Sequence, residues 1–368
     1  MNQYGKEYII DFDQLYDSMA KCRKNVMWKP SVKSFVLNDI ENLSRMEKKL
    51  KDGTWKNGEP KPIQITYPKK REGLSISFKD RIYQRSINDN ALYPATTSTF
   101  IKDNWACQTG RGPDIARNRI KEMLWDFFLH YGLDGYVVHT DIQKYYQSMR
   151  HKETEDLFKK YIDPEVHKMV CDVLNTQYKG DTGYNPGSQM VQIAGITALN
   201  EIDHFIKEKL HVRYYGRYMD DSAFFFHRRE DAERNLEIIE QKLNKNGFKL
   251  NEKKTIIAPI SEPFLFLGFY FRMTETGKAI MILDPKNVKH ERKKLKKMVA
   301  KSKHGEITKE KVDECYRSWK NHAEKGNSYK LLKRMDRYYK GLWRDDNADT
   351  EAQEASDPPA ERNGEHDG

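Results

Sequence analysis

Apolar positions along the chain change period several times, and each change marks a new element. Over about 10–60 the spacing is weakly helical and interspersed with lysines. From Pro62 to Phe78 the pattern becomes strand-like, broken by the basic turn Lys69-Lys70-Arg71-Glu72-Gly73. Residues 80–93 return to helical spacing, with Ile82, Ile87 and Ala91 on or near one face. The loop Gly110-Arg111-Gly112-Pro113 leads into a predicted helix at about 114–131. A β-branched run from Tyr136 to Ile142 reads as a strand, followed by a helical stretch after Ser148 and a polar, Gly-rich loop at 180–187. Ile196, Leu199, Ile206 and Leu210 predict a long helix over about 189–210. Ala232, Leu236, Ile239 and Leu243 predict another over 229–246, stopped by Gly247. Two hairpin strands are expected at about 264–283, centred on Phe264–Phe271, and 286–343 reads as helical and strongly basic. Strands and helices thus interleave as an α+β core followed by an all-helical piece, with no internal repeat.

The most telling polar interruption lies inside the run from His211 to His227, where Tyr218-Met219-Asp220-Asp221 is flanked on both sides by β-branched and aromatic residues. This predicts a β-hairpin with an acidic pair at its turn. An ordinary Asx-type turn would account for the pair alone. A third carboxylate, Asp141, ends the equally β-rich Tyr136–Ile142 segment. Two strands that each end in acid can converge on a pair of Mg²⁺ ions, the arrangement that nucleotidyl transfer requires.

Composition sharpens this expectation. The 368 residues carry a net charge of +10, and a basic balance points to a polyanionic partner such as nucleic acid. Residues 345–368 hold nine acids against Arg362 alone, so they net −8 and the preceding residues net +18. That segment lacks aromatic and aliphatic anchors and carries Pro358-Pro359, a composition expected to be disordered. Cys22, Cys107, Cys171 and Cys315 show no Cys-x-x-Cys spacing, which argues against a zinc site or a disulfide framework and suits a reducing cytoplasm. No apolar run reaches membrane-spanning length, and the N-terminus has no signal-peptide core, so a soluble, cytoplasmic protein is expected.

Over nearly all of 60–343 the chain resembles the reverse transcriptases, of bacterial or phage type. Tyr218-Met219-Asp220-Asp221 matches the family's catalytic Tyr-x-Asp-Asp, and Asp141-Ile142 followed by Tyr145-Tyr146 matches its first acidic strand. The resemblance implies a right-hand polymerase: an N-terminal helical extension (1–60), fingers (61–135), a palm with some fingers elements (136–284), a helical thumb (285–343) and the acidic tail (344–368). It implies RNA-directed DNA synthesis with two Mg²⁺ ions, Mn²⁺ being a substitute. Asp141, Asp220 and Asp221 would be the ligands, with the backbone carbonyl of Ile142. Tyr146 would be a steric gate against ribonucleotides, although a plain core aromatic is the alternative. Lys69, Lys70 and Arg71 would meet the incoming triphosphate, unless they form only a solvated turn. Lys254, chosen over Lys253, would protonate the leaving pyrophosphate. Arg111 lies in a block placed near template and primer, and Leu267-Gly268 resembles the primer-grip turn. Lys289, Arg292, Lys293, Lys296 and Lys297 suit contact with a duplex backbone, or merely a solvated helical face.

One block narrows the resemblance. Pro186-Gly187-Ser188-Gln189-Met190-Val191-Gln192 is closest to the form typical of diversity-generating retroelements, in which Gln before the Gly is replaced and the block ends in Gln; Val191 departs from it. Proline offers no side-chain donor, so Pro186, Gly187 and Gln192 would brace the incoming nucleotide loosely, and an error-prone enzyme is expected. Implied partners are an RNA template, a DNA or RNA primer, dNTPs, a structured noncoding RNA and a small basic accessory protein. The alternatives are an antiphage-defence reverse transcriptase, with a dedicated noncoding RNA or protein priming, and a catalytically silent RNA-binding protein with the polymerase fold.

Overall fold

The computed structural model describes residues 5–66, 70–185 and 188–344. Lys69, Pro186, Gly187 and the acidic tail lie outside the described residues. The architecture is a mixture of helices and antiparallel sheet, as the alternating periods predict.

The N-terminal region is helical. Phe12–Cys22 starts where the Asp11 carboxylate accepts from the Asp13 amide, and Asp39–Lys51 follows, with Leu15, Met19, Leu43, Met46 and Leu50 buried. β1 (Lys61–Ile65) and β2 (Arg71–Ser75) pair antiparallel as an isolated hairpin. The helix predicted at 80–93 is three segments: α-helix Phe78–Ile87, a π-helical turn Asn88–Leu92, and α-helix Tyr93–Thr97. Ser77 caps the first by accepting from the Asp80 amide.

The central sheet has four strands, β3 (Tyr136–Thr140), β4 (Tyr214–Tyr218), β5 (Asp221–Phe226) and β6 (Ile256–Pro259), in the order β4-β5-β3-β6. All pairings are antiparallel. Val137 and Val138 are buried on β3, and Tyr215 stacks on Phe224 across the β4–β5 pair at 4.6 Å between ring centroids. Gly216 is required on β4, because a Cβ there would lie 2.0 Å from the Trp105 ring that covers it. The helix Pro113–Tyr131 packs against the same strand. Sequence periodicity misses β6. It is a four-residue edge strand ending in proline, a position where the absent N–H costs no ladder bond.

Two further expectations are corrected. The long helix at 189–210 is interrupted at Leu199, where φ is −99° and ψ 2°, and continues as Asn200–His204 and a π-helical turn Phe205–Lys209. The two hairpin strands expected at about 264–283 are three. Leu267 and Gly268 both take positive φ, 46° and 82°, the geometry of a two-residue hairpin turn, so β7 (Phe264–Phe266) and β8 (Phe269–Met273) are separate and β9 (Ala279–Leu283) makes a third. The expected helix at 229–246 is Arg229–Lys245, with Gly247 left-handed at φ +80°.

The chain divides into two compact units, one of residues up to Leu267 with Phe271–Ala279, the other of Gly268–Tyr270 with the residues from Ile280 onwards. The second unit holds three helices, Pro285–Lys303, Lys309–Ala323 and Tyr329–Leu342. Its interior is built on Leu295, Val299, Val312 and Met335, with Tyr316 stacked on Tyr339 at 4.4 Å. No helix among the described residues is long and apolar enough to cross a membrane.

Candidate active site

Strand register brings the acids together. Thr140 on β3 faces Ser222 on β5, and Tyr218 faces Asp221 across the β4–β5 turn. Continuing the first register by one residue sets Asp141 beside Asp221. The turn itself is Met219-Asp220, with Met219 left-handed at φ +56°. A non-glycine residue there costs roughly 1–2 kcal/mol, so the surrounding fold must hold it.

Burial and like charge dominate the electrostatics. The Asp220 carboxyl is pushed up to about 6, first by burial, then by the charges of Asp221 and Asp141, with Lys254 opposing. Carboxylates crowded in this way gain from any cation placed among them. Asp141, only 7 % exposed, has both oxygens engaged: Lys254 Nζ donates to Oδ2 at 2.6 Å and Asn251 Nδ2 to Oδ1 at 3.0 Å. No group of three or more His, Cys, Asp or Glu side chains among the described residues is arranged to hold a metal ion. The donor set nevertheless fits a hard divalent cation: carboxylate oxygens, crowded, with a single ammonium in the place of a counter-ion.

The turn after Leu250 builds this contact. Asn251 donates its backbone N–H to the Asp141 carbonyl at 2.8 Å, and its own carbonyl accepts from the amides of Lys254 and Thr255. That fold projects Lys254 back onto Asp141, and the shared hydrogen bond raises the affinity of Lys254 for its proton. Ile142 is buried and bridges Leu250, through bonds that use the carbonyls of Asp141 and Lys249 and leave its own outside the bridge. Sequence reasoning missed Asn251, which stands 110 positions from its partner. It also missed His139 on β3, whose Nε2 lies 3.6 Å from Asp221 Oδ1, too long for a hydrogen bond, while Nδ1 lies 3.3 Å from the Lys254 carbonyl.

Tyr146 sits beside this cluster. Burial, then the neighbouring Cys107 and Asp220, raise its hydroxyl well above the ordinary phenol range. Its ring packs on the helix Gln189–Ala198 at Gly195, where a Cβ would come within 3.2 Å of Cε1. The adjoining Tyr145 hydroxyl donates to the Gly195 carbonyl. Gln192, Tyr218, Cys107 and Arg111 line one cavity of about 800 Å³. Arg111 turns its guanidinium onto its own loop, donating to the carbonyls of Lys102 and Asn104.

Other expected residues lie elsewhere. Lys70 is exposed at the β1–β2 hairpin, and Arg71 opens β2. Leu267 and Gly268 form the β7–β8 turn, where the Leu267 carbonyl accepts from Arg117 Nη1 at 3.1 Å. Lys289, Arg292, Lys293, Lys296 and Lys297 are exposed on the helix Pro285–Lys303. The first four of these line a groove of about 560 Å³ in the second unit, with Val288 and Leu331 also in its wall.

A family model described as reverse transcriptase (RNA-dependent DNA polymerase) matches residues 75–271. No curated protein matches the chain.

Proposed function

The chain belongs to the reverse transcriptase family and is an RNA-directed DNA polymerase, and on that premise we propose that Asp141, Asp220 and Asp221 form its polymerising centre. The observation that carries this reading is the strand register, which sets Asp141 beside the Asp220-Asp221 turn, where burial and the other two acids raise the Asp220 carboxyl to about 6. These side chains would hold divalent cations, Mg²⁺ or in its place Mn²⁺, which when bound supply charge neutralisation for an attacking 3′-hydroxyl and a triphosphate. The Lys254 ammonium has its Nζ 2.6 Å from Asp141 Oδ2. It is the group placed to donate to a leaving pyrophosphate, and loss of its bond to Asp141 would make it a stronger acid. Tyr146, packed against Gly195, acts as a wall under the sugar of the incoming nucleotide. In this reading the first unit supplies fingers and palm and the second a thumb, whose basic helix contacts duplex phosphates. The expected triphosphate contacts of Lys69, Lys70 and Arg71 belong to the same reading.

The finer assignment is to an error-prone enzyme of a diversity-generating retroelement, working with a structured noncoding RNA and a small basic accessory protein. Its support is the block Pro186–Gln192. Val191, the departure from that block, is fully buried. A change there alters core packing rather than a nucleotide contact, so it does not favour the defence-enzyme alternative.

Primer extension on an RNA template with dNTPs and Mg²⁺ tests both levels. The wild type is expected to incorporate and Asp220→Ala/Asp221→Ala to lose about a thousandfold or more, the equivalent of several kcal/mol of charge stabilisation. Equal incorporation by the two proteins would remove the assignment of the centre. Pro186→Gln is expected to lower misincorporation, and an unchanged error rate would withdraw the error-prone reading.

A further inference from the structure

Arg217 stands two residues before the left-handed turn residue of the acidic hairpin and is 1 % exposed. Its partner Asp203, in the helix Asn200–His204, is fully buried. The two form a bidentate pair, Nε to Oδ1 at 2.8 Å and Nη2 to Oδ2 at 2.5 Å, and the Tyr215 hydroxyl also donates to Asp203 Oδ1. The rest of the guanidinium fork is turned to backbone. Nη1 donates to the Met219 carbonyl at 2.7 Å, and Nη2 to the Ile196 carbonyl at 3.0 Å. Its main chain is held as well, the amide donating to the Asp103 carbonyl and the carbonyl accepting from the Trp105 amide.

Each contact has a consequence for the acids. The Met219 carbonyl belongs to the peptide that leads into Asp220. A charged donor fixed on that oxygen sets the orientation of the peptide that follows the left-handed Met219, φ +56°. The Ile196 carbonyl adjoins Gly195, the residue against which Tyr146 packs. The positive charge itself is matched by Asp203. The largest charge effects on Asp220 come from Asp221, Asp141 and Lys254. Arg217 therefore works on the hairpin through geometry rather than through its field.

We propose that Arg217, locked by Asp203, is a positioning residue. It fixes the Met219 peptide and hence the angle at which Asp220 and Asp221 present their carboxylates, and it ties that angle to the helix beneath Tyr146. This inference rests on the polymerase reading above. Only an arginine can serve, because four acceptor atoms from three groups lie around one planar fork. A lysine keeps the charge but offers a single nitrogen.

The test uses the full chain with RNA template, primer and dNTPs. In Arg217→Lys, kcat is expected to fall by about tenfold or more, since small misplacement of reacting groups is costly. The half-saturating Mg²⁺ concentration is expected to rise about fivefold, with KM for dNTP changed by less than about twofold. Mn²⁺ binding without nucleotide, followed by electron paramagnetic resonance, is expected to weaken by a similar factor. Adding Met219→Gly to Arg217→Lys is expected to restore part of the kcat, because glycine takes positive φ without a Cβ penalty. If Arg217→Lys does not fold, Asp203→Asn, which loosens the same fork, is expected to give the same Mg²⁺ and Mn²⁺ shifts. An inactive wild type would count against the polymerase reading itself. An active wild type, with Mg²⁺ and Mn²⁺ curves that superimpose on those of the folded variant, overturns the positioning role alone.

Discussion

The two units concentrate charge in opposite ways. In the first, three carboxylates crowd the ends of β3 and β5 and the turn between β4 and β5, with Asp141 7 % exposed and the Asp220 carboxyl raised to about 6. In the second, Lys289, Arg292, Lys293, Lys296 and Lys297 are spread along the solvent face of one helix, which is anchored by Leu295 and Val299. Burial makes the first arrangement costly in the absence of a cation, so its chemistry is local and sensitive to single atoms. Exposure makes the second nearly free. Its effect is additive, screened by salt and tolerant of position. A rigid sheet suits the one role and a long helix the other.

This contrast can be sharpened at Lys254, the only ammonium bonded to the carboxylate cluster among the described residues. Lys254→Ala is expected to lower kcat by about 10²–10⁴-fold, the range for loss of a general acid. Lys253→Ala is expected to leave it near wild type. Equal losses in single-turnover incorporation would show that the lysine at 254 contributes only general positive charge.

A smaller effect should appear in stability. Because the Asp220 carboxyl is raised in the folded state from an ordinary value of 3.8 to about 6, ionising it costs stability. The neutral form is favoured on folding. Its full contribution is therefore present below about pH 4, and is lost as pH rises through about 6. Asp220→Asn is expected to stabilise the cation-free protein by on the order of 2 kcal/mol at pH 8. The gain should fade towards pH 4. Denaturant melts of wild type and variant across that range provide the check, and a gain that grows at low pH would contradict the burial argument.

The smallest effect belongs to the basic helix. Neutralising Lys289, Lys293 and Lys296 to Gln is expected to weaken duplex binding uniformly across sequences. It should also flatten the dependence of log K on log salt by about one unit for each phosphate that the helix ceases to neutralise. An unchanged slope in a filter-binding titration would place the duplex elsewhere.

Much of this was legible in the chain. Val137, Val138 and the aromatic flanks of Asp220-Asp221 have strand periodicity, and their register was bound to bring acid ends together once they paired. The breaks in helices were not legible, because Leu199 and the π-helical turn at Phe205–Lys209 leave the apolar spacing almost unchanged. β6 was hidden by its four-residue length. The hydrogen bonds that orient the site were the least visible. Asn251 and Asp203 are ordinary polar residues in sequence, and what they bind depends on chain segments that meet only in the fold.

The central claim is that Asp141 leaves Lys254 and Asn251 to share a divalent cation with Asp220 and Asp221. Calorimetric titration of Mg²⁺ or Mn²⁺ into the full chain, comparing wild type with Asp141→Asn, addresses it most directly. The account predicts that the variant binds at least about tenfold more weakly, the equivalent of losing one charged ligand. Wild-type affinity in Asp141→Asn would contradict it, since that carboxylate would then belong to Lys254 alone.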